Sequence, residues 1–132
     1  MRGAPVDDLF QRYGDACGSR DPDAIVALHT EDTTFHAHVG QEPARGKPAV
    51  RQAFADLLAQ FPDLTFDQVS RQTGHDFWVV EWRMSGTLAG ADTSFDVELI
   101  DLITVEDGLV KSKDSYLDGV SMQAQLGMAV AQ

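Results

Sequence analysis

Residues 76–117 read DFWVVEWRMSGTLAGADTSFDVELIDLITVEDGLVKSKDSYL. Two long runs, Asp76 to Leu88 and Ser94 to Val105, are rich in β-branched and aromatic residues and read as strands. A third, Leu109 to Leu117, follows Glu106-Asp107-Gly108, a hairpin signal of the Asp-Gly type. Side chains alternate between faces along a strand. In the first run Trp78, Val80, Trp82 and Met84 share a wholly apolar, bulky face that belongs inside. Phe77, Val79, Glu81, Arg83 and Ser85 share the other, where Glu81 and Arg83 read as a salt-bridge pair or an oligomer contact. In the second run Leu99, Asp101 and Ile103 lie on one face, and Asp96, Glu98, Ile100 and Leu102 on the other. Alternation leaves Asp101 with two readings. Either it faces inward with Leu99 and Ile103 and must be hydrogen-bonded or protonated, because an isolated buried charge is very costly, or it faces solvent while Ile100 and Leu102 fill the core.

Upstream the period is helical. Val6, Leu9, Phe10, Tyr13 and Cys17 recur on one helix face over Val6 to Cys17, and Gly18 is a stop. Asp21 is an N-cap and Pro22 fits the first helical position of a second helix that carries Ile25, Val26, Leu28 and His29. Thr33 to Val39 reads as a strand ended by Gly40. The loop Gln41 to Gly46 lacks the Lys-Ser/Thr ending of a phosphate-binding loop. A third helix over Lys47 to Gln60 puts Val50, Phe54, Leu57 and Leu58 on one stripe and ends at Phe61-Pro62-Asp63. Leu64 to Arg71 is a further strand, and Ser121 to Met128 a short closing helix. Helices followed by a run of antiparallel strands predict an α+β fold, a curved, mostly antiparallel sheet with the three helices of the N-terminal half on one face and a pocket between them.

Composition narrows the partners. The chain has 132 residues, the length of one domain over 1–132, with 43% hydrophobic residues. Twenty-one acids against ten Lys and Arg give a net charge of -11, and no basic cluster is present, which excludes nucleic acid and an anionic membrane surface as expected partners. Cys17 stands alone and reads as a small core residue. MRGAPVDDLF holds no apolar run of the signal-peptide kind, and no segment approaches the roughly 20 apolar residues of a membrane span. A cytoplasmic protein is expected.

Four stretches carry a resemblance: Gln11-Arg12-Tyr13, then DPDAIVALHTEDTTFHAHVGQEPARGKPAVRQAF (21–54), the pair Ile100-Asp101, and DGLVKSKDSYLDG (107–119). Together they resemble bacterial ketosteroid isomerases and, more broadly, the SnoaL-like members of the nuclear transport factor 2-like superfamily. The resemblance implies a cone-shaped α+β fold enclosing a pocket, and a homodimer. Ketosteroid isomerases move a proton with a carboxylate base and an oxyanion hole of one Tyr and one protonated Asp. By resemblance those two are Tyr13 and Asp101, which favours the inward reading of Asp101. The base position holds Ala37, which cannot take a proton. The Asp-Arg-Asp set of limonene-epoxide hydrolases falls on Trp82, Met84 and Ser115 and is absent. Asp118, in the closing Tyr116-Leu117-Asp118, is the counterpart considered for the base of polyketide cyclases.

A regular strand points His36 and His38 away from the pocket, whereas the bend that the resemblance implies here brings His38 to the pocket mouth. An imidazole titrates near neutrality, and His38 is therefore the candidate base. Two histidines at i, i+2 can chelate a metal, but with no third ligand in view none is expected, nor is any cofactor. Lys113 shares a face with Ser115 and Leu117. If that face is inward it is a cation near Asp101 or an amine able to form a Schiff base; the plainer reading is an exposed or snorkelling lysine. Phe54, Trp78, Val80, Trp82, Met84, Leu99, Ile103, Ala37 and Ser115 are expected to line the site of a small apolar ligand. Three functions fit: an isomerase-type enzyme stabilising an enolate through Tyr13 and Asp101, a SnoaL-like cyclase of secondary metabolism, and a non-catalytic ligand-binding or oligomerisation module.

Overall fold

The computed structural model describes residues 5–127. Its elements are α1 (Pro5–Gly18), α2 (Pro22–Val26), β1 (His29–Ala37), β2 (Ala44–Arg45), α3 (Lys47–Gln60), β3 (Thr65–Thr73), β4 (Phe77–Thr87), β5 (Ser94–Glu106), β6 (Leu109–Leu117) and α4 (Gly119–Gln125). Asp21 caps α2, its side chain accepting from the Asp23 amide. The helix is one residue longer than a turn and stops before the expected His29. There the Val110 amide donates to the Leu28 carbonyl and His29 pairs with Val110, so the sheet takes the chain over and His29 opens β1 instead of closing a helix. The loop after β1 contains a short strand, β2, paired with Thr34 and Phe35. The expected closing helix is α4; Met128 lies outside the described residues.

One six-stranded sheet runs in the order β2-β1-β6-β5-β4-β3. Every pairing is antiparallel except β1 with β6. The β5–β6 hairpin turns at Asp107 and Gly108, both with positive φ (53° and 77°), the backbone that an Asp-Gly turn supplies at low cost. β3 is exposed along its whole length, and a register shift between Gln68 and Ser70 interrupts this edge.

The alternation on β4 is as expected: Trp78, Val80 and Met84 are buried and Trp82 is half-buried. On β5, Phe95, Val97, Leu99, Asp101 and Ile103 are all buried, while Ile100 is exposed, so Asp101 faces inward. Glu81 and Arg83 do not pair with each other. Arg83 Nε bonds Asp96 Oδ1 at 2.6 Å across the strands, and Glu81 accepts from Ser70. Two apolar clusters result. One joins α1, α2 and α3 to β4 through Leu9, Tyr13, Ile25, Val50, Phe54 and Trp78; the other joins Phe61, Leu64, Met84, Phe95 and Leu126. Trp82 packs against both, and the narrower cavity opens beside it. Among the described residues, no helix is long and apolar enough to cross a membrane.

Candidate active site

Two adjoining cavities, of about 730 Å³ and 280 Å³, lie between sheet and helices. Asp101, Lys113 and Cys17 border both, so these residues stand where the cavities meet. Every expected wall residue is placed here. Trp78, Val80, Trp82 and Ile103 line the narrower cavity, and Ala37, Phe54, Met84, Leu99 and Ser115 the wider one.

Asp101 is 4% exposed. It stands opposite Ser115 on β6 and opposite Val80 on β4. Ser115 Oγ donates to Asp101 Oδ1 at 2.5 Å, and Trp82 Nε1 donates to Oδ2 at 3.0 Å. An indole nitrogen has a hydrogen to give and no lone pair to accept with, so Oδ2 is an acceptor. With Ser115 as donor the carboxyl accepts at both oxygens, as an ionised group does; the Ser115 hydroxyl can equally accept, and a protonated Oδ1 fits the same distance.

Lys113 is not a surface lysine. On β6 it pairs with Ile103, and its Nζ lies 5.1 Å from the Tyr13 ring centroid, 5.4 Å from Phe54 and 5.9 Å from Phe35. Three rings from α1, α3 and β1 thus offer their π systems to one ammonium. Burial works against that charge, whereas the Tyr13 hydroxyl and the Asp101 carboxyl beside it favour it, and the net direction is above the usual lysine range. That direction favours an ammonium over the free amine that a Schiff base needs.

Tyr13 projects from α1, and its hydroxyl lies 2.9 Å from His29 Nε2. His29 Nδ1 in turn lies 2.8 Å from Thr33 Oγ1. Burial pushes the Tyr13 phenol upward. Burial, followed by the charges of Lys113 and Lys47, pushes His29 from 6.5 down to about 3. His29 is therefore neutral, with one ring nitrogen donating and the other accepting. Sequence reading missed His29 by placing it on a helix. Carrying the strand period back from Phe35 and Ala37 reaches Thr33, but a register shift between His29 and Thr34 interrupts it, and Glu31 on the same parity is exposed, so local alternation does not assign His29.

Neutral His29 has a consequence for acid stability. An unfolded chain takes up a proton near pH 6.5, whereas the folded chain resists until about 3. The stabilisation is intact above the unfolded value and is lost as pH falls below it, by about 1.4 kcal/mol per pH unit. His29→Gln keeps a hydrogen-bonding side chain and removes the titration. We expect urea unfolding between about pH 6.5 and 4.5 to show a flatter decline for His29→Gln than for the wild type. Parallel declines would count against this role.

The structure does not bring the His38 imidazole to Asp101 and Tyr13. His38 borders the wider cavity, but its Nε2 is 2.8 Å from Asp114 Oδ1, and its ring stacks on the exposed Tyr116. Asp114 and Tyr116 alternate with the buried Ser115, so His38 joins the outer face of the sheet. Asp118 is likewise engaged elsewhere, capping α4 by accepting from the Ser121 amide. Ala37 presents only a methyl group.

Residues 10–113 match the SnoaL-like domain family. The chain belongs to that family. This SnoaL-like protein is 28% identical over 114 residues to a steroid Delta-isomerase of Nocardioides simplex, a match that covers 86% of the chain and 89% of the relative. Its fold is similar to that of a protein with a ketosteroid isomerase-like fold from Catenulispora acidiphila, solved with trimethylamine (TM-score 0.82, 21% identity, 92% and 93% of the two chains). It is equally similar to a candidate SnoaL-like polyketide cyclase from Jannaschia sp. CCS1 (TM-score 0.82, 19% identity, 96% and 93% of the two chains).

Proposed function

We propose that this SnoaL-like protein is an enzyme that moves a proton on a small, largely apolar carbonyl compound, with Asp101 as the base and Tyr13 and Lys113 as the groups that stabilise the enolate. One observation carries the reading: the Asp101 carboxyl and the ring-surrounded Lys113 amine border the same apolar cavity. In the first step the Asp101 carboxylate takes the proton from the carbon next to the carbonyl. The electron pair of that C–H bond becomes the C=C bond of the enolate, and the carbonyl π pair moves onto oxygen. The Lys113 ammonium stabilises this oxyanion, and removing one such stabiliser commonly costs a hundredfold or about a thousandfold in rate. Tyr13 assists in one tautomer of the relay, in which Thr33 donates to His29 Nδ1, and His29 Nε2–H donates to the Tyr13 oxygen. The phenol hydrogen is then free for the ligand, and an anionic ligand selects that tautomer.

In a ketone with a β,γ C=C bond, Asp101 next returns its proton to the γ-carbon: the oxygen pair re-forms the carbonyl, the enolate C=C pair becomes the α,β double bond, and the former β,γ pair takes the proton, which completes an isomerisation. If the substrate carries a second carbonyl, the enolate carbon attacks it instead: the new C–C bond closes a ring, the first carbonyl re-forms, the π pair of the second moves onto its oxygen, and Asp101 returns its proton there to give a hydroxyl. The role of Asp101 therefore differs from the expected oxyanion donor, and supplies the base that Ala37 does not. Steroid ketones are the first substrates to assay, because the relative from Nocardioides simplex is a steroid Delta-isomerase.

The test is a binding titration with naphthols of increasing acidity, followed by tryptophan fluorescence. We expect affinity to rise with naphthol acidity, and to fall by about tenfold or more in Lys113→Met and less in Tyr13→Phe, as loss of a charge-assisted contact implies. Affinity indifferent to acidity and to both substitutions overturns the enolate site.

A further inference from the structure

At the end of β1 and on the outer face of β6, beside the rim of the wider cavity, three side chains converge that proton transfer does not use. We infer that His36, His38 and Asp114 form a binding site for one divalent transition-metal ion of the zinc(II) class. One nitrogen from each imidazole and one carboxylate oxygen of Asp114 lie within 4.8 Å of one another. The histidines come from the end of β1 and the residue just beyond it. The acid comes from β6, where parallel pairing sets Asp114 directly beside His36. The third ligand is therefore absent from the neighbourhood of the two histidines in sequence and present in space.

The donor set suits the ion. Two imidazoles and one carboxylate are borderline ligands of the kind zinc takes, and they leave a fourth position for water. The surroundings also suit it. His36 Nε2 lies 2.8 Å from the carbonyl oxygen of Gln41. A neutral ring that donates N–H there leaves Nδ1 for a metal, the outer hydrogen bond that metal-bound histidines usually make. His38 is clamped between the His36 ring (centroids 3.7 Å apart) and the Tyr116 ring (4.0 Å, planes within 10°). Its Nε2 already shares a hydrogen with Asp114 Oδ1 at 2.8 Å, and an ion would take the place of that proton. Metal–ligand distances of about 2.0–2.2 Å require the three donors to draw closer together. His38 and Asp114 are 28% and 31% exposed, which leaves them room to turn. The chain's net charge of -11 favours a cation.

The experiment is calorimetric titration of the intact protein with zinc chloride near neutral pH, repeated on His38→Ala, Asp114→Asn and His36→Ala. Analytical ultracentrifugation is run on the same samples. We expect one zinc per chain, no change of mass on binding, and affinity at least tenfold weaker in each variant. Cobalt(II) in place of zinc should give the visible absorption of a low-coordinate site with nitrogen and oxygen ligands. Circular dichroism of the metal-free variants is expected to match the wild type, and Asp114→Asn, nearly the same size as the original, provides the test if an alanine variant unfolds. Absence of saturable binding overturns the site. So does binding that survives all three substitutions, or half a zinc per chain accompanied by dimerisation.

Discussion

Asp101→Asn should lower the rate of α-proton exchange on a bound ketone by about a hundredfold to ten-thousandfold, the usual contribution of a positioned base. The measurement is NMR-detected hydrogen–deuterium exchange into a steroid ketone. Asparagine has nearly the same shape. Its carbonyl oxygen can still accept from Trp82 Nε1, and its amide can donate to Ser115 Oγ, so the two bonds that hold residue 101 in place persist. What is lost is the lone pair that takes the proton. Folding stability should change little, and the same sample should keep its affinity for a neutral apolar ligand within a few-fold. A variant with wild-type exchange would move the base elsewhere, and a variant that fails to fold would show Asp101 to be a structural carboxylate.

The largest loss of stability is expected for Trp78→Ala. Trp78 is 1% exposed, meets Phe10 edge-on with centroids 5.4 Å apart, and packs 6.0 Å from Tyr13. It ties α1 to β4 at the point where the narrower cavity begins. Removing a buried Trp typically costs about 3–5 kcal/mol, because the transfer free energy of the ring is lost and a void remains. The void here adjoins an existing cavity, so neighbouring side chains have little behind them to drive a collapse. Urea unfolding should show the midpoint falling by that equivalent with an unchanged slope. Phe77→Ala is the control. The side chain next along the strand is 37% exposed, and its loss should change stability by only about 0.5 kcal/mol.

Much of the fold is legible without coordinates. On β4 one face is bulky and apolar while the other carries Glu81 and Arg83, so alternation points Trp78, Val80 and Met84 inward unambiguously. Asp107-Gly108 marks the β5–β6 hairpin for an equally local reason, since that pair tolerates positive φ. Asp101 was harder. Leu99 and Ile103 flank it on one parity, Ile100 and Leu102 oppose it on the other, and two apolar faces carry no direction. Only the neighbours across the sheet decide, with Ser115 on one side and Trp82 on the other providing the hydrogen bonds that an inward carboxylate needs.

The remaining site residues lay further out of reach. β6 alternates Lys111, Lys113 and Ser115 with Ser112, Asp114 and Tyr116, polar groups on both faces, and nothing in that pattern separates a solvated lysine from a buried one. Lys113 is half-buried, with three aromatic rings from α1, β1 and α3 around its ammonium, and their meeting point exists only in the folded chain. Asp114 joins His38 across 76 residues for the same reason. Element type, turn chemistry and the inward face of a clearly amphipathic strand are local properties, written in the order of side chains along a few residues. Which charges share a cavity, and which ligands share an ion, depends on strand register and helix packing. Those are set by the free energy of the whole fold, and no short stretch of the chain encodes them.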